Sequence, residues 1–360
     1  MHVLAPFSLK SEVVPLVEAG ATELYCGVVP EELSQRWGTL ELLNRRRGYD
    51  ANLWSFADLG EAVAAAHERD VPVFVTLNRH YPENVFPLLH EMLARLREVD
   101  ADGVIVVDLG LLELLREQAY GFPHVVVGTG GATLNAETVA FYGTLGATRV
   151  VLSRHLTVPE IVDIATHNHT GLELEAFVLN GLCPFEDGFC TFYHGHEPPR
   201  DFGGGAGRRP VERSYDPDFE GAGCRISFVH RPVDVAGGAS PSGAAGATFE
   251  SFAHDRSDES RTGGTDCGAC AILALTRASL TSVKIVERAF STDRKVRCTR
   301  FVRNVVDLAK AADPPAYPDF VAEVRRGYAE LTGGRDCSGY ECYYPMPGLL
   351  PPPRGPDDAP

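Results

Sequence analysis

Residues 175–190 read Glu-Ala-Phe-Val-Leu-Asn-Gly-Leu-Cys-Pro-Phe-Glu-Asp-Gly-Phe-Cys, so a strand-like run leads into Cys183 and a short Gly-containing loop returns to Cys190. Two thiols launched from one strand end are a ligand signal. Further along stand Cys224 and the pair Cys267-Gly-Ala-Cys270, and at least four thiols would share one centre if the glycine-rich segments between them fold back. That soft donor set favours iron-sulfur or zinc chemistry. A structural zinc site usually shows two close Cys pairs, whereas the only two-residue spacing here is Cys267/Cys270. Cys337 and Cys342 stay open between a local metal clip, a redox pair and an extra cluster ligand. Cys26 within an apolar strand and Cys298 on a helix read as buried structural thiols, because free Cys packs like a small apolar residue. His194-Gly-His196 has the look of a metal doublet but reads as a solvated loop pair.

The elements that must position these thiols follow from hydrophobic patterning. Eight short β-branched runs, at residues 3–7, 22–28, 71–78, 103–109, 124–128, 149–153, 172–179 and 282–286, alternate with amphipathic segments. Helices are expected at 10–19, 56–69, 84–99, 111–118, 136–145, 159–167 and 271–278. Eight strands with intervening helices predict an α/β fold of the (β/α)8 TIM-like barrel type, with its active site at the strand C-termini. The regularity breaks after strand 7, where residues 195–223 and 235–265 are rich in Gly, Pro, Ser and charge and read as a structureless insertion. The expected domains are a barrel over 1–290 including a cysteine-bearing insertion at 183–270, a C-terminal helical extension over 291–345, and a disordered Pro-rich tail at 346–360.

Composition narrows the function classes. A 44% hydrophobic content in 360 residues supports a large buried core. The sequence shows no membrane-length apolar run, and the start Met1-His2-Val3-Leu4-Ala5-Pro6 lacks a signal-peptide pattern, so a cytoplasmic protein is expected. Nine cysteines in such a chain point to metal or redox use rather than disulfides. A formal charge of -16 disfavours an extended phosphate-binding surface, although the local patch Arg45-Arg46-Arg47 keeps RNA open.

The segment carrying Glu175, Phe177, Gly181, Cys183, Gly188 and Cys190 resembles the signature of peptidase family U32, and Ser282-Val283-Lys284-Ile285 followed by Arg288 resembles that family's eighth-strand motif. Weaker similarity at 21–27, Asn78 and Thr133-Leu134-Asn135-Ala136 extends the resemblance over roughly residues 1–310. Departures are Asn180-Gly181 in place of Gly then Ser or Ala, Thr191-Phe192-Tyr193 in place of small residues, and Val286-Glu287 where Glu-Gly is common. Better understood members include ubiquinone-biosynthesis proteins and tRNA or rRNA hydroxylation proteins. The resemblance implies a [4Fe-4S] cluster on Cys183, Cys190 and Cys224, with Cys267 or Cys270 as fourth ligand, and oxygen-independent hydroxylation with prephenate as donor.

The expected catalytic set is Glu175, Lys284, Arg288, Asn78 and Arg154. Lys284 and Arg288 would hold an anionic donor, or else form structural ion pairs with an acidic neighbour such as Glu287. Glu175 reads as a proton carrier or a core ion pair. Asn78, Asn135 and Arg154 fall at strand ends on the catalytic face, with Asn135 equally a helix cap. Because of the charge, a small-molecule substrate is expected ahead of RNA. The other readings are a tRNA/rRNA hydroxylase, a non-catalytic iron-sulfur or zinc subunit in a heterodimer with a second family member, and a peptidase. The last lacks any His-Glu-x-x-His or Gly-x-Ser-x-Gly motif.

Overall fold

The computed structural model describes residues 1–37, 43–46, 51–118, 120–183, 186–190, 226–233, 248–255, 265–311, 316–337 and 342–344. Arg47, Cys224, the 191–196 segment with both loop histidines, and the 345–360 tail lie outside the described residues.

Seven strands come first: β1 (His2–Pro6), β2 (Glu23–Cys26), β3 (Val73–Leu77), β4 (Gly103–Val106), β5 (His124–Val127), β6 (Arg149–Val151) and β7 (Glu173–Leu179). An antiparallel hairpin of β8 (Ile226–Val233) and β9 (Thr248–Asp255) follows, then β10 (Ser282–Ile285). Strands β1 to β7 and β10 close into one parallel barrel, β10 pairing with both β7 and β1. Val, Ile and Leu dominate these strands because a parallel barrel buries both faces. The hairpin corrects the expectation for 235–265. Thr248–Asp255 alternates β-formers with polar residues inside that Gly-rich stretch, and the average composition hid it.

The helices are α1 (Val13–Glu18), α2 (Glu31–Trp37), α3 (Phe56–His67), α4 (Phe86–Glu98), α5 (Leu109–Gln118), α6 (Ala136–Thr144), α7 (Val158–His167), α8 (Ile272–Arg277), α9 (Thr292–Lys310) and α10 (Tyr317–Leu331). Their starts are written locally. The Ser55 hydroxyl accepts from the Asp58 N–H, Asn135 Oδ1 accepts from Thr138 N–H at 2.8 Å, and Thr157 with Glu160 makes a capping box. The Asn135 cap settles that residue as a helix start. Helix α2 was not anticipated, since Leu33 alone of its described side chains is fully buried and no apolar stripe marks it. Helix α4 shows the usual pattern, burying Leu88, Leu89, Met92, Leu93 and Leu96 against the barrel. Each such side chain contributes roughly 1.5–3 kcal/mol of burial, so Leu93→Ala would open a cavity there.

Period-two alternation sorts the strand residues. Val3, Leu24, Val75 and Val104 face the helices, while Leu4, Tyr25, Phe74, Ile105, Val126 and Val151, with Phe177 beside them, fill the barrel interior. Cys26 lies in the outer layer, and Cys298 on α9 is buried as well; both are packed thiols. Among the described residues no helix is long and apolar enough to cross a membrane.

Candidate functional site

Charge enters the barrel interior through the same alternation that places Tyr25 and Phe177 there. Arg149 is fully buried and donates to Glu23 at 2.6 and 2.8 Å, to Glu173 at 2.7 Å and to Glu175 at 3.2 Å. Lys284 Nζ donates to Glu175 Oε1 at 3.1 Å and stands 4.4 Å from the Tyr25 ring centroid. Burial pulls the Lys284 pKa below its usual value, opposed by the Glu175 charge. Glu175 and Lys284, both expected at the site, are thus partners in a core ion pair. The acidic partner of Lys284 is Glu175; Glu287 instead makes a bidentate pair with Arg46 at 2.5 and 2.8 Å.

Four residues beyond Lys284, Arg288 reaches the barrel mouth under different conditions. It is 4% exposed, donates to Thr76 Oγ1 at 2.9 Å and lies 3.4 Å from Asn52 Oδ1. Among the described residues no carboxylate lies within ion-pair distance of it. Burial lowers its pKa to about 10, so it remains cationic at neutral pH. The cradle is built for it. A Cβ on Gly27 would fall 1.9 Å from Arg288 Nη1 and 2.1 Å from Asn52 Oδ1, and Asn44 ties the cradle together by accepting from Thr76 at 2.6 Å. A buried guanidinium held by neutral oxygens is suited to binding an anion. Asn44, Asn52 and Thr76 carried no sequence signal beyond polar loop or strand positions, and only the Gly27 match hinted at close approach.

The loop after β7 that bears Cys183 and Cys190 is clasped at several points. Arg154 donates to the Gly181 carbonyl and, at 2.5 Å, to Asp187 Oδ1, so one side chain spans the loop. Arg45 donates to the Asp187 carbonyl at 2.8 Å, its own N–H is received by Asn78 Oδ1 at 3.1 Å, and the Ser153 hydroxyl donates to Glu186. A Cβ on Gly188 would come within 2.9 Å of both Ala132 Cβ and the Gly130 carbonyl, which explains a glycine at that signature position. Arg154 therefore positions the thiol loop, and Asn78 does so through Arg45. Burial opposes the Arg154 charge, yet Asp187 and then Tyr343 and Cys183 hold its pKa above the usual value. Cys183 and Cys190 are partly exposed. As soft donors in the loop that leaves the C-terminal end of β7, they suit the iron-sulfur group that the resemblance implies.

Two departures from the family pattern have a backbone explanation. Asn180 has φ +64° and Glu287 has φ +77°, left-handed values at positions where the family commonly has glycine. Asn tolerates that region by local hydrogen bonding. Glu287 is strained there, and its Arg46 pair offsets the strain.

Cys267, Cys270, Cys337 and Cys342 are close enough to act on one another electrostatically. Residue 267 bridges Leu179 on one side and Cys342 on the other. Burial pushes the Cys267 thiol well above its usual pKa, Cys270 up to about 11 and Cys342 up to about 12. Neighbouring thiols raise them further: Cys270, Cys342 and Cys337 act on Cys267, Cys337 on Cys270, and Cys270 and Cys337 on Cys342.

Comparison with known proteins gives relatives of matching kind. An uncharacterized protease of Methanocaldococcus jannaschii is 29% identical over 53% of this chain and 43% of its own length. The tRNA hydroxylation protein P2 of Bacillus subtilis is 31% identical over 49% of this chain and 51% of its own. The 23S rRNA 5-hydroxycytidine synthase of Escherichia coli is 29% identical over 39% of this chain and 20% of its own. The matches thus span about half or less of these relatives' lengths. The profile of peptidase family U32 matches residues 10–340, which takes in every barrel strand but β1, the thiol loop and the C-terminal helices, and the chain belongs to that family.

Proposed function

We propose that the chain is an oxygen-independent hydroxylase acting on RNA. The observation that carries this reading is the match to relatives named for tRNA and rRNA hydroxylation, which favours RNA over the small organic substrate expected from the -16 charge. The net charge is a property of the whole chain, whereas base recognition needs positive potential only locally. Arg45, Arg46, Arg154 and Arg288 all belong to the barrel mouth.

A [4Fe-4S] cluster on Cys183, Cys190 and Cys224, with Cys267 or Cys270 as fourth ligand, would supply redox or Lewis-acid chemistry there. The protein's own residues divide the remaining work. Arg288 binds and orients an anionic oxygen donor, for which prephenate, a dicarboxylate, is the reference compound. Arg154 and Arg45 hold the thiol loop, and the buried Lys284–Glu175–Arg149 network fills the barrel interior beneath the site. The reaction class replaces a C–H bond by C–OH, with the donor reduced.

The test is anaerobic incubation of the chain with prephenate and bulk RNA from a host lacking the gene, followed by nucleoside mass spectrometry. A nucleoside gaining one oxygen only when chain and donor are both present is expected. Arg288→Met should raise the donor KM about 10- to 100-fold, the loss of one charge-assisted contact of about 1.5–3 kcal/mol. Oxygenation of small aromatic acceptors with RNA untouched would overturn the RNA assignment. Peptide hydrolysis without hydroxylation would overturn the reaction class.

A further inference from the structure

Four of the five exposed large apolar side chains among the described residues follow the C-terminal ends of barrel strands: Leu9 after β1, Leu109 after β4, Leu134 after β5 and Phe189 after β7. Scattered apolar exposure is ordinary on a protein surface. Here it gathers on the one face of the barrel where a substrate is met. Phe189 leads the group at 79% exposed and stands one residue before Cys190. The backbone under its ring is fixed. Phe189 N–H donates to the Glu186 carbonyl at 3.1 Å, Gly188 N–H donates to Glu186 Oε1 at 3.3 Å, and Gly188 lies so close to Ala132 and the Gly130 carbonyl that a Cβ would fall 2.9 Å from each. Arg45 and Arg154 both donate to Asp187, two residues before the ring.

A loop clasped at these points holds its aromatic ring in water and forfeits the burial that a core Phe gains. The same clasp pre-organises the ring, so a partner that stacks on it meets little ordering cost. The surrounding chemistry selects that partner. Arg45 Nη2 and Arg154 Nε are buried and make no hydrogen bond among the described residues, so two guanidinium groups beside the loop keep donor capacity in hand. An RNA nucleotide carries what each group lacks, an aromatic face for the ring and acceptor oxygens for the cations. A polypeptide partner would instead ask for a continuous apolar patch. The barrel order denies it one, since β10 stands between β1 and β7, and β6 between β7 and β5. An enzyme that modifies a base must also take that base out of its stack, and the protein has to supply the replacement surface.

We propose that Phe189 is the stacking platform for an unpaired RNA nucleotide at the thiol loop, with Arg45 and Arg154 as the cations beside it. The inference rests on the RNA reading of the proposed function and names the side chain that holds the base. Because the ring stacks on a π-face and reads no base edge, it positions the nucleotide without choosing which base is bound.

The test uses the full chain, purified anaerobically, with bulk RNA from a host lacking the gene as the probe. In Phe189→Ala the apparent Kd for RNA should rise roughly 5- to 150-fold, the range that one base–aromatic stack supplies, while Phe189→Tyr stays within about 3-fold of wild type. In Phe189→Trp the added indole emission should be quenched by RNA, read against the wild-type signal of Trp37 and Trp54. The melting temperature and iron content of Phe189→Ala should match the wild type, since the ring supports nothing in its own chain. A fall in either would show that the ring packs on its own chain and would overturn the proposal, as would unchanged RNA affinity, whatever else the ring docks. Hydroxylated nucleosides formed with an unchanged RNA KM in Phe189→Ala would sink this inference and leave the reaction standing. Ring-dependent RNA binding with no hydroxylation would do the reverse, and a wild-type chain that binds no RNA would end both.

Discussion

Lys284 and Arg288 stand four residues apart at the end of one strand, and both are buried cations, yet they occupy opposite electrostatic situations. Lys284 is neutralised by Glu175 within a network that includes Arg149, Glu23 and Glu173. Arg288 is held by the neutral oxygens of Thr76 and Asn52. A charge paired inside the barrel serves the fold, whereas a charge desolvated at the mouth without a carboxylate partner is the one to which we assign the proposed anionic donor. Side-chain type does not separate the two roles; the counter-charge does.

The largest effect should come from breaking the paired side. Glu175→Gln leaves Lys284 buried without its counter-charge and should destabilise the protein by about 3–5 kcal/mol, read as a lower denaturation midpoint in urea. A loss below about 1 kcal/mol would mean that Lys284 is not stabilised by Glu175 and would dissolve the contrast with Arg288.

The unpaired side should respond in the opposite sense. Arg288→Met removes a desolvated cation whose acceptors keep other partners, Thr76 with Asn44 and the Cys26 carbonyl. Stability should stay within about 0.5 kcal/mol of wild type or rise, while donor affinity falls. A melting temperature that falls as far as in Glu175→Gln would place Arg288 among the structural charges.

The smallest effect sharpens the comparison at the residue between them. Glu287 combines a left-handed backbone with the Arg46 pair. Glu287→Ala loses the pair and keeps the strain; Glu287→Gly loses both, so the glycine variant should be the more stable of the two by about 1 kcal/mol. Equal melting temperatures for the two variants would show that the backbone there is unstrained.

The barrel was legible in the order of its residues because parallel strands buried on both faces must be continuous apolar runs, and their flanking helices must carry apolar stripes. Seven of the eight barrel strands lie within the expected spans and β1 begins one residue early at His2, while the Asn135 cap was among the readings of that residue because capping is a local signal. The thiol loop was legible too, from the spacing of Cys183 and Cys190 and the glycine at 188. Helix α2 and strand β9 were not, because neither presents the periodic apolar face that makes an element visible.

What only the tertiary structure decided were the partnerships between residues distant in the chain. The Glu175–Lys284 separation of 109 residues, the Arg46–Glu287 separation of 241 and the Arg288–Thr76 separation of 212 exist only once the strands close into a barrel. The sequence by itself named Glu175, Lys284 and Arg288 but assigned Glu287 as the nearest acid for Lys284, since proximity along the chain was the only measure it offered. Likewise, the bridges that set residue 267 beside Leu179 and Cys342 join segments far apart in the chain, and no local pattern announced them. Composition and period determine which elements form and which faces are buried; which charge meets which, and which thiols gather, depends on barrel closure and on where the C-terminal segment is laid down.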